Sequence, residues 1–395
     1  MKRFFSYSIL SFFLLLLPTG QTSANNNDSI RLSLLTCAPG EEIYSLFGHT
    51  AIRYENSSQG IDVVFNYGLF SFNTPNFIFR FSLGETDYQL GATDYERFAA
   101  EYAFFGRSVW QQTLNLTDEE KTELIRLLQE NYRPENRVYR YNFFYDNCAT
   151  RPRDKIEESI AGKVIYPAEP QDGSLTFRDI VHQYCKGHPW ARFGIDLCIG
   201  SEADQPITQR QMMFAPFYLM DAFDGAQIKG DSIQRPLITA NELIVDATPE
   251  PDESDWMPTP LQCSLLLFIL TAAATIYGIR RRTGLWGIDL FLFGIAGIVG
   301  CVLAFLALFS QHPAVSSNFL LLVFHPGQLL FLPYIIYCVR KGKKCWYLTL
   351  NLAVLTLFIV LFPVIPQRFD FAVVPLALVL LIRSASNLIL TSKKK

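Results

Sequence analysis

The chain has 395 residues, 50 % of them apolar and only 18 % charged, with a net charge of −3. An ordinary soluble domain carries about 25 % charge, so this composition excludes a disordered chain, and the near-neutral balance argues against nucleic acid as a partner. Nearly all Asp and Glu lie before Trp256, which points to a water-facing first half and a membrane-resident second half.

In chain order, Lys2 and Arg3 precede an apolar run from Phe4 to Pro18, and Thr22 and Ala24 form a small-x-small pattern before polar Asn25 to Asp28. This is the layout of a secretory signal peptide over residues 1–24. Residues 25–247 then carry the turns and mixed periodicities of an exported α+β domain. Gly48 to Tyr54 and Asp62 to Leu69 read as two strands joined by turn chemistry at Asn56 to Gly60, a β-hairpin. Thr117 followed by Glu120 is a capping box for a helix through about Asn131, which Pro134 ends. Asn147 and Cys148 precede a second helix through Ile160, with Pro152 in its first turn. Residues 248–261 are rich in Pro, Asp and Glu and read as a linker.

Residues 262–395 read as an all-α transmembrane domain of five spans, at about 262–279, 286–309, 319–339, 346–364 and 369–388. Each is near the ~20 residues that cross a bilayer. Arg280 to Arg282 follow the first span, Arg340 to Lys344 the third, and Lys393 to Lys395 the fifth, while the other two loops hold only Arg368. Basic loops face the cytoplasm. An odd number of spans then places residues 25–260 outside it, in agreement with the signal peptide. The expected location is a multi-pass protein of a bacterial inner membrane with its first domain in the periplasm.

Two exported segments carry candidate chemistry. One is Phe47-Gly48-His49-Thr50, with a His on a strand; the other is Asp146-Asn147-Cys148-Ala149, with a Cys at a helix start. Free backbone N–H groups at a helix N-terminus favour a thiolate. A nearby His acts as base, and the same N–H groups serve an oxyanion. With the hairpin turn centred near Ser57 and Ser58, His49 faces the region of Asn66, which would orient the imidazole; Asp62 and Tyr67 are rival candidates. A strand His is more often structural than catalytic, however, and a lone Cys is most often a small buried hydrophobe.

The order of a strand His followed by Asn-Cys at a helix start resembles the circularly permuted NlpC/P60 group of papain-like proteins, which includes lecithin:retinol acyltransferase. More closely, five segments resemble the N-terminal periplasmic domain family of the Lnb-type lipoprotein N-acyltransferases of Bacteroidetes. They are Leu35 to Gly40, Gly48 to Thr50, Phe65 to Gly68, Tyr141 to Cys148 and His188 to Asp196, spread over most of residues 31–200. The resemblance implies a papain-like fold with Cys148 as nucleophile and His49 as base. It implies an acyl chain taken from a phospholipid as a Cys148 thioester and passed to the N-terminal amine of a diacylated lipoprotein. It does not settle the third residue. The rival readings are a cell-wall endopeptidase or amidase on the same fold, and a non-catalytic membrane-assembly protein.

Other polar residues are expected in supporting roles. Tyr67 and Asn147 flank the candidate residues, and Arg151 and Arg153 offer charge to a phosphate headgroup or, alternatively, a salt-bridged helix face. Asn318, His325 and Gln328 are spaced to share one face of the third span, lining a headgroup pocket or making interhelical hydrogen bonds. Arg383 is placed to snorkel to the cytoplasmic surface. His182, Cys185, His188 and Cys198 have a spacing that fits no common zinc module, and no metal or cofactor is expected.

Overall fold

The computed structural model describes residues 29–71, 73, 75–167, 175–230, 234–247 and 257–392. The expected signal peptide and most of the expected linker lie outside them. The first part is built on ten strands: β1 (Ile30–Cys37), β2 (His49–Asn56), β3 (Ile61–Leu69), β4 (Asp87–Asp94), β5 (Val109–Leu114), β6 (Val138–Arg140), β7 (Lys163–Ile165), β8 (Gln227–Lys229), β9 (Gln234–Pro236) and β10 (Ile238–Val245). Eight helices accompany them: α1 (Phe77–Leu83), α2 (Tyr95–Phe104), α3 (Asp118–Tyr132), α4 (Thr150–Ser159), α5 (Phe177–Tyr184), α6 (Pro189–Cys198), α7 (Gln209–Met212) and α8 (Pro216–Asp224).

Seven strands form one sheet in the order β10-β5-β1-β2-β3-β4-β6, with every neighbouring pair antiparallel. Alternation along the strands sorts side chains onto two faces. Leu32, Leu34, Ile52, Phe65 and Tyr67 pack beneath α3, α4 and α8 through Leu124, Leu128, Ile156, Leu219 and Phe223. Leu35, Cys37, Ala51 and Val64 face the other way, against Phe98 and Tyr102 of α2. The expected capping box is present: Glu120 N donates to Thr117 Oγ1 at 3.3 Å and Thr117 N to Glu120 Oε2 at 2.8 Å. A third cluster, around Phe144, Phe177, Ile180 and Phe214, seats α5 beside the segment that leads into α4.

The second part is helical: α9 (Pro260–Arg281), α10 (Trp286–Phe309), α11 (Pro326–Leu330), α12 (Leu332–Lys341), α13 (Trp346–Leu361) and α14 (Val373–Ser392). Among the described residues, α9, α10 and α14 are long and apolar enough to cross a membrane, and α13 is a shorter apolar helix. The expected third span is not one straight helix. A 3-10 turn at Phe319–Leu322 leads to α11, and the pair with α12 is bent by 74°. Pro326 and Pro333 lie in this stretch and lack the amide that would continue the ladder. Asn318 and His325 each stand ahead of a helix start, so they do not share a helix face with Gln328. Instead Asn318 Nδ2 donates to Leu197 O at 2.7 Å, and Gln328 Nε2 donates to Val323 O at 2.7 Å. His325 meets Asn351 Oδ1 at 3.4 Å, and Asn351 in turn donates to Ser384.

Arg383 does not snorkel. It is buried and forked onto Asp289, with Nε–Oδ1 2.7 Å and Nη2–Oδ2 3.0 Å, and donates Nη1 to Thr275 Oγ1 at 3.0 Å. The bidentate carboxylate holds the guanidinium inside the bundle, where an unpaired charge is costly.

The two loops poor in Lys and Arg lie against the sheet-bearing part. Gly200 N donates to Ala314 O at 2.6 Å, Ser201 N to Ser317 O at 2.9 Å, and Gln367 Nε2 to Ile199 O at 3.2 Å. A Cβ on Gly200 would meet Ser317 O at 2.6 Å, so this close approach needs glycine. Arg368, the single Lys or Arg of those loops, pairs with Asp204 at 2.9 Å and Asp179 at 2.5 Å. Asp204 is also bound by Arg178, a fully buried residue that grips Asp196 at 2.6 Å as well.

Removing one partner of a buried ion pair costs more than replacing both by apolar groups. Asp289→Ala is therefore expected to lower stability by roughly 3–5 kcal/mol, and Asp289→Leu combined with Arg383→Met to recover most of that loss. Denaturant unfolding of the two variants in detergent micelles checks both statements.

Candidate active site

The site grows from the open end of the β2–β3 hairpin. Gly48 precedes β2 with φ +78°, and a Cβ there would lie 2.5 Å from Cys37 O, so only glycine lets the chain turn in against β1. On one side β2 pairs with β1 up to the Cys37–His49 rung. On the other, pairing with β3 stops at Ala51–Asn66 although both strands continue. Gly68, at φ +89°, turns the end of β3 away from the ladder.

Asn66 is thus opposite Ala51, two positions from the expected register with His49. A shift of two preserves the face, and His49 Nε2 reaches Asn66 Oδ1 diagonally at 3.3 Å. Asn66 Nδ2 donates to Val64 O at 3.4 Å. The Asn66 oxygen therefore accepts from Nε2–H of His49, which leaves Nδ1 as the basic nitrogen. The rivals lie elsewhere. Asp62 is ion-paired with Arg53 at 2.7 Å, and Tyr67 faces the opposite side of the sheet, donating to Asn131 Oδ1 at 2.8 Å.

Cys148 approaches the same strand end. The preceding loop is closed by reciprocal backbone hydrogen bonds between Asn142 and Asp146, both 2.9 Å. Asn147, buried, then clamps the helix start. Its Oδ1 accepts from Ala149 N at 2.8 Å and Thr150 N at 2.9 Å, and its Nδ2 donates to Phe143 O and Phe214 O. Cys148 lies one residue before the N-cap Ala149. The first amides of the helix are therefore taken by Asn147, and the donors at the sulfur are the amides of Thr50 and of Cys148 itself. A Cβ at Gly68 would sit 3.5 Å from Cys148 Cβ and 3.7 Å from Tyr141 Cε2, so the glycine keeps open the space beside the thiol.

Burial governs the charge state. It pushes the Cys148 thiol up to about 11, against the opposing pull of the Thr50 and Cys148 amides. Burial first, and then the nearby Arg107 charge, lowers His49 to about 4 despite the hydrogen bond it donates to Asn66. Burial thus pushes both groups toward their neutral forms, against the thiolate that the helix start alone would favour.

Arg151 is committed elsewhere. It forks onto Asp146 at 2.6 and 2.8 Å and stacks over Tyr139 at 3.5 Å. Arg153 binds Asp154 and Arg210 O. The Cys and His residues near α5 and α6 do not converge as a ligand set: His182 Nε2 lies 2.9 Å from Asp196, and Cys185 and Cys198 are free thiols. Two neighbours of the site were missed in the sequence. Tyr141 borders Gly68, and its signal was the alternation of Tyr139 and Tyr141 just ahead of Cys148. Arg107, whose Nε donates to Ala38 O at 2.8 Å, carried no local signal.

Because the thiolate is the reactive form, a thiol raised to about 11 sets the pH dependence. Iodoacetamide labelling of Cys148 in micelles should accelerate about tenfold per pH unit between about 7 and 10. Mass spectrometry of the Cys148 peptide checks this; a rate flat across that range would show a preformed thiolate.

Two family models match the chain. Residues 19–182 match the Lnb N-terminal periplasmic domain, and residues 252–395 match the Lnb transmembrane domain. Comparison with curated proteins and with solved structures returned no match. The first match contains His49, Asn66 and Cys148, and the second contains all the apolar helices from α9 to α14. With both domain models matched in this order, the chain belongs to the Lnb family, as a membrane protein with a periplasmic N-terminal domain.

Proposed function

We propose that this protein is a multi-pass inner-membrane acyltransferase. It takes an acyl chain from a phospholipid onto Cys148 and passes it to the N-terminal amine of a diacylated lipoprotein. The observation that carries the reading is the seating of the Cys148 thiol against the Thr50 amide, one residue from the His49–Asn66 pair, in a domain bonded to the membrane helices. Lnb membership supports a membrane-associated, lipoprotein-modifying enzyme. A strand His ahead of a Cys at a helix start supports a permuted papain-like arrangement. Counting the bent α11–α12 pair and the short α13 as crossings supports five spans, with the catalytic domain outside and the C-terminus inside.

In this reading His49 Nδ1 takes the Cys148 proton as sulfur attacks the ester carbonyl of the donor. The amides of Cys148 and Thr50 are the donors at hand for the oxyanion. The tetrahedral adduct collapses to a thioester, and His49 returns the proton to the departing lysophospholipid oxygen. The neutral α-amine of the acceptor then attacks the thioester carbonyl. His49 takes one amine proton, the amide forms, and the proton goes back to sulfur. A base held near 4 stays unprotonated at neutral pH. Asn66 holds the ring in the tautomer that the steps require. A peptidase would use the same nucleophile on a water-soluble wall peptide and would need no bonded contact with the bilayer.

The test is the full-length protein in micelles with phospholipid and a synthetic diacylated lipopeptide bearing a free amine. The lipopeptide is expected to gain one acyl mass, and Cys148→Ala to gain none. His49→Ala should lower the rate by about 10²–10⁴-fold, the usual contribution of a general base. Full transfer by Cys148→Ala would sink the proposal, and cleavage of wall peptides without acyl transfer would favour the peptidase.

A further inference from the structure

The helix α1 has the sequence Phe-Ile-Phe-Arg-Phe-Ser-Leu, and none of its residues is buried. Ile78 is 80 % exposed, Phe79 58 % and Phe81 47 %. Seven residues are too few to form a stable helix alone, and a surface of this kind facing water is unfavourable. Its one charge is turned back onto the domain: Arg80 Nη2 reaches Asp87 Oδ2 at 2.7 Å and Glu85 O at 3.0 Å. The rest of the helix docks at the exported end of α10. Gln311 N donates to Leu83 O at 2.9 Å, and His312 Nε2 donates to Phe81 O at 2.8 Å. Gly84, at φ +73°, caps α1 and allows this approach, since a Cβ there would lie 3.0 Å from His312 N.

Depth follows from α10. Phe79 packs on Phe305 with ring centroids 5.8 Å apart, and Phe305 lies four residues before the helix ends at Phe309. At ~1.5 Å per residue that contact is about 6 Å inside the helix end. This is the level at which interfacial helices bury their apolar faces, roughly 5–10 Å into the boundary of headgroups and chains.

From α1 a continuous run of rings leads to the nucleophile. Phe77 stacks on Phe70 at 5.7 Å, Phe70 meets Tyr88 at 5.0 Å, and Tyr88 stacks on Tyr141 at 4.2 Å. Tyr141 and Cys148 then border the space kept empty at Gly68. We propose that α1 is an interfacial helix immersed in the exported leaflet, and that the Phe77–Phe70–Tyr88–Tyr141 run guides the acyl chain of a phospholipid from the bilayer to Cys148. The inference rests on the acyl-transfer reading. The occupant is a lipid chain because the run begins at the end of an apolar membrane helix and is made of aromatic rings in contact one with the next.

The first test is independent of activity. Phe79→Trp in nanodiscs whose lipids carry brominated chains is expected to show emission quenched beyond the wild-type background. Emission no more quenched than wild type overturns the placement of α1. The second test compares thioester formation on Cys148 from a long-chain phospholipid and from a water-soluble short-chain aryl ester. Ile78→Asp combined with Phe79→Asp should lower the ratio of long-chain to short-chain rates by about tenfold or more, since two apolar anchors are lost. An unchanged ratio overturns the guiding role. A wild-type protein that forms no thioester with either donor overturns the acyl-transfer reading instead, and the quenching arm still decides where α1 lies.

Discussion

Arg178 has no exposed surface, and its guanidinium is engaged by Asp196, by Asp204 and by the carbonyls of Ile199 and Gly200. A buried cation is tolerable only when its donors are met, so this one side chain shapes the turn between α6 and the residues after it. That turn is the surface on which the membrane loops rest. Asn318 binds the carbonyls of Leu197 and Cys198, Gln367 binds that of Ile199, and Arg368 shares Asp204 with Arg178. The sheet domain is thereby fixed to the helices through hydrogen bonds and charge pairs rather than through a tether alone. The proposed transfer from a bilayer lipid would depend on such an attachment, because a thiol free to swing on a linker would lose its geometry relative to the lipid surface.

The chemistry of the site follows from an interruption of regular structure. Had the β2–β3 ladder continued past Ala51–Asn66, the amide of Thr50 would have been used in the sheet. Gly68 takes a positive φ and leaves no side chain beside the thiol, and Cys148 occupies the opening. Burial then sets the protonation state: two amides cannot outweigh the desolvation of the sulfur, and the imidazole is kept neutral.

The membrane part shows the same economy of polar groups. Asp289 and Arg383 lie on different helices and satisfy one another, with Thr275 completing the fork. Asn351 links His325 to Ser384, and Asn387 Oδ1 accepts from Cys345 N. Where the third expected span breaks, Gln328 meets the Val323 carbonyl, which a straight helix would have satisfied itself, while Asn318 binds the carbonyls that end α6.

Adjacent residues carry the periodicities that local rules read. The hairpin, the capping box at Thr117, the helix after Cys148 and the apolar stretches of the second half were therefore legible from the sequence. So were the charge asymmetry of the loops and the segments around His49 and Cys148. Asn66 was legible as the residue facing His49, but the two-residue offset in register was not, because it depends on the turn and on where the ladder stops. The neutral state of Cys148 was not, because desolvation depends on the aromatic residues that other strands bring over it. The fate of Arg383 was not either: its partner lies 94 residues away, and only packing of the helices brings a carboxylate to it. Patterns with a short period are written in neighbouring residues, whereas pairing and burial are decided by whatever the folded chain brings from a distance.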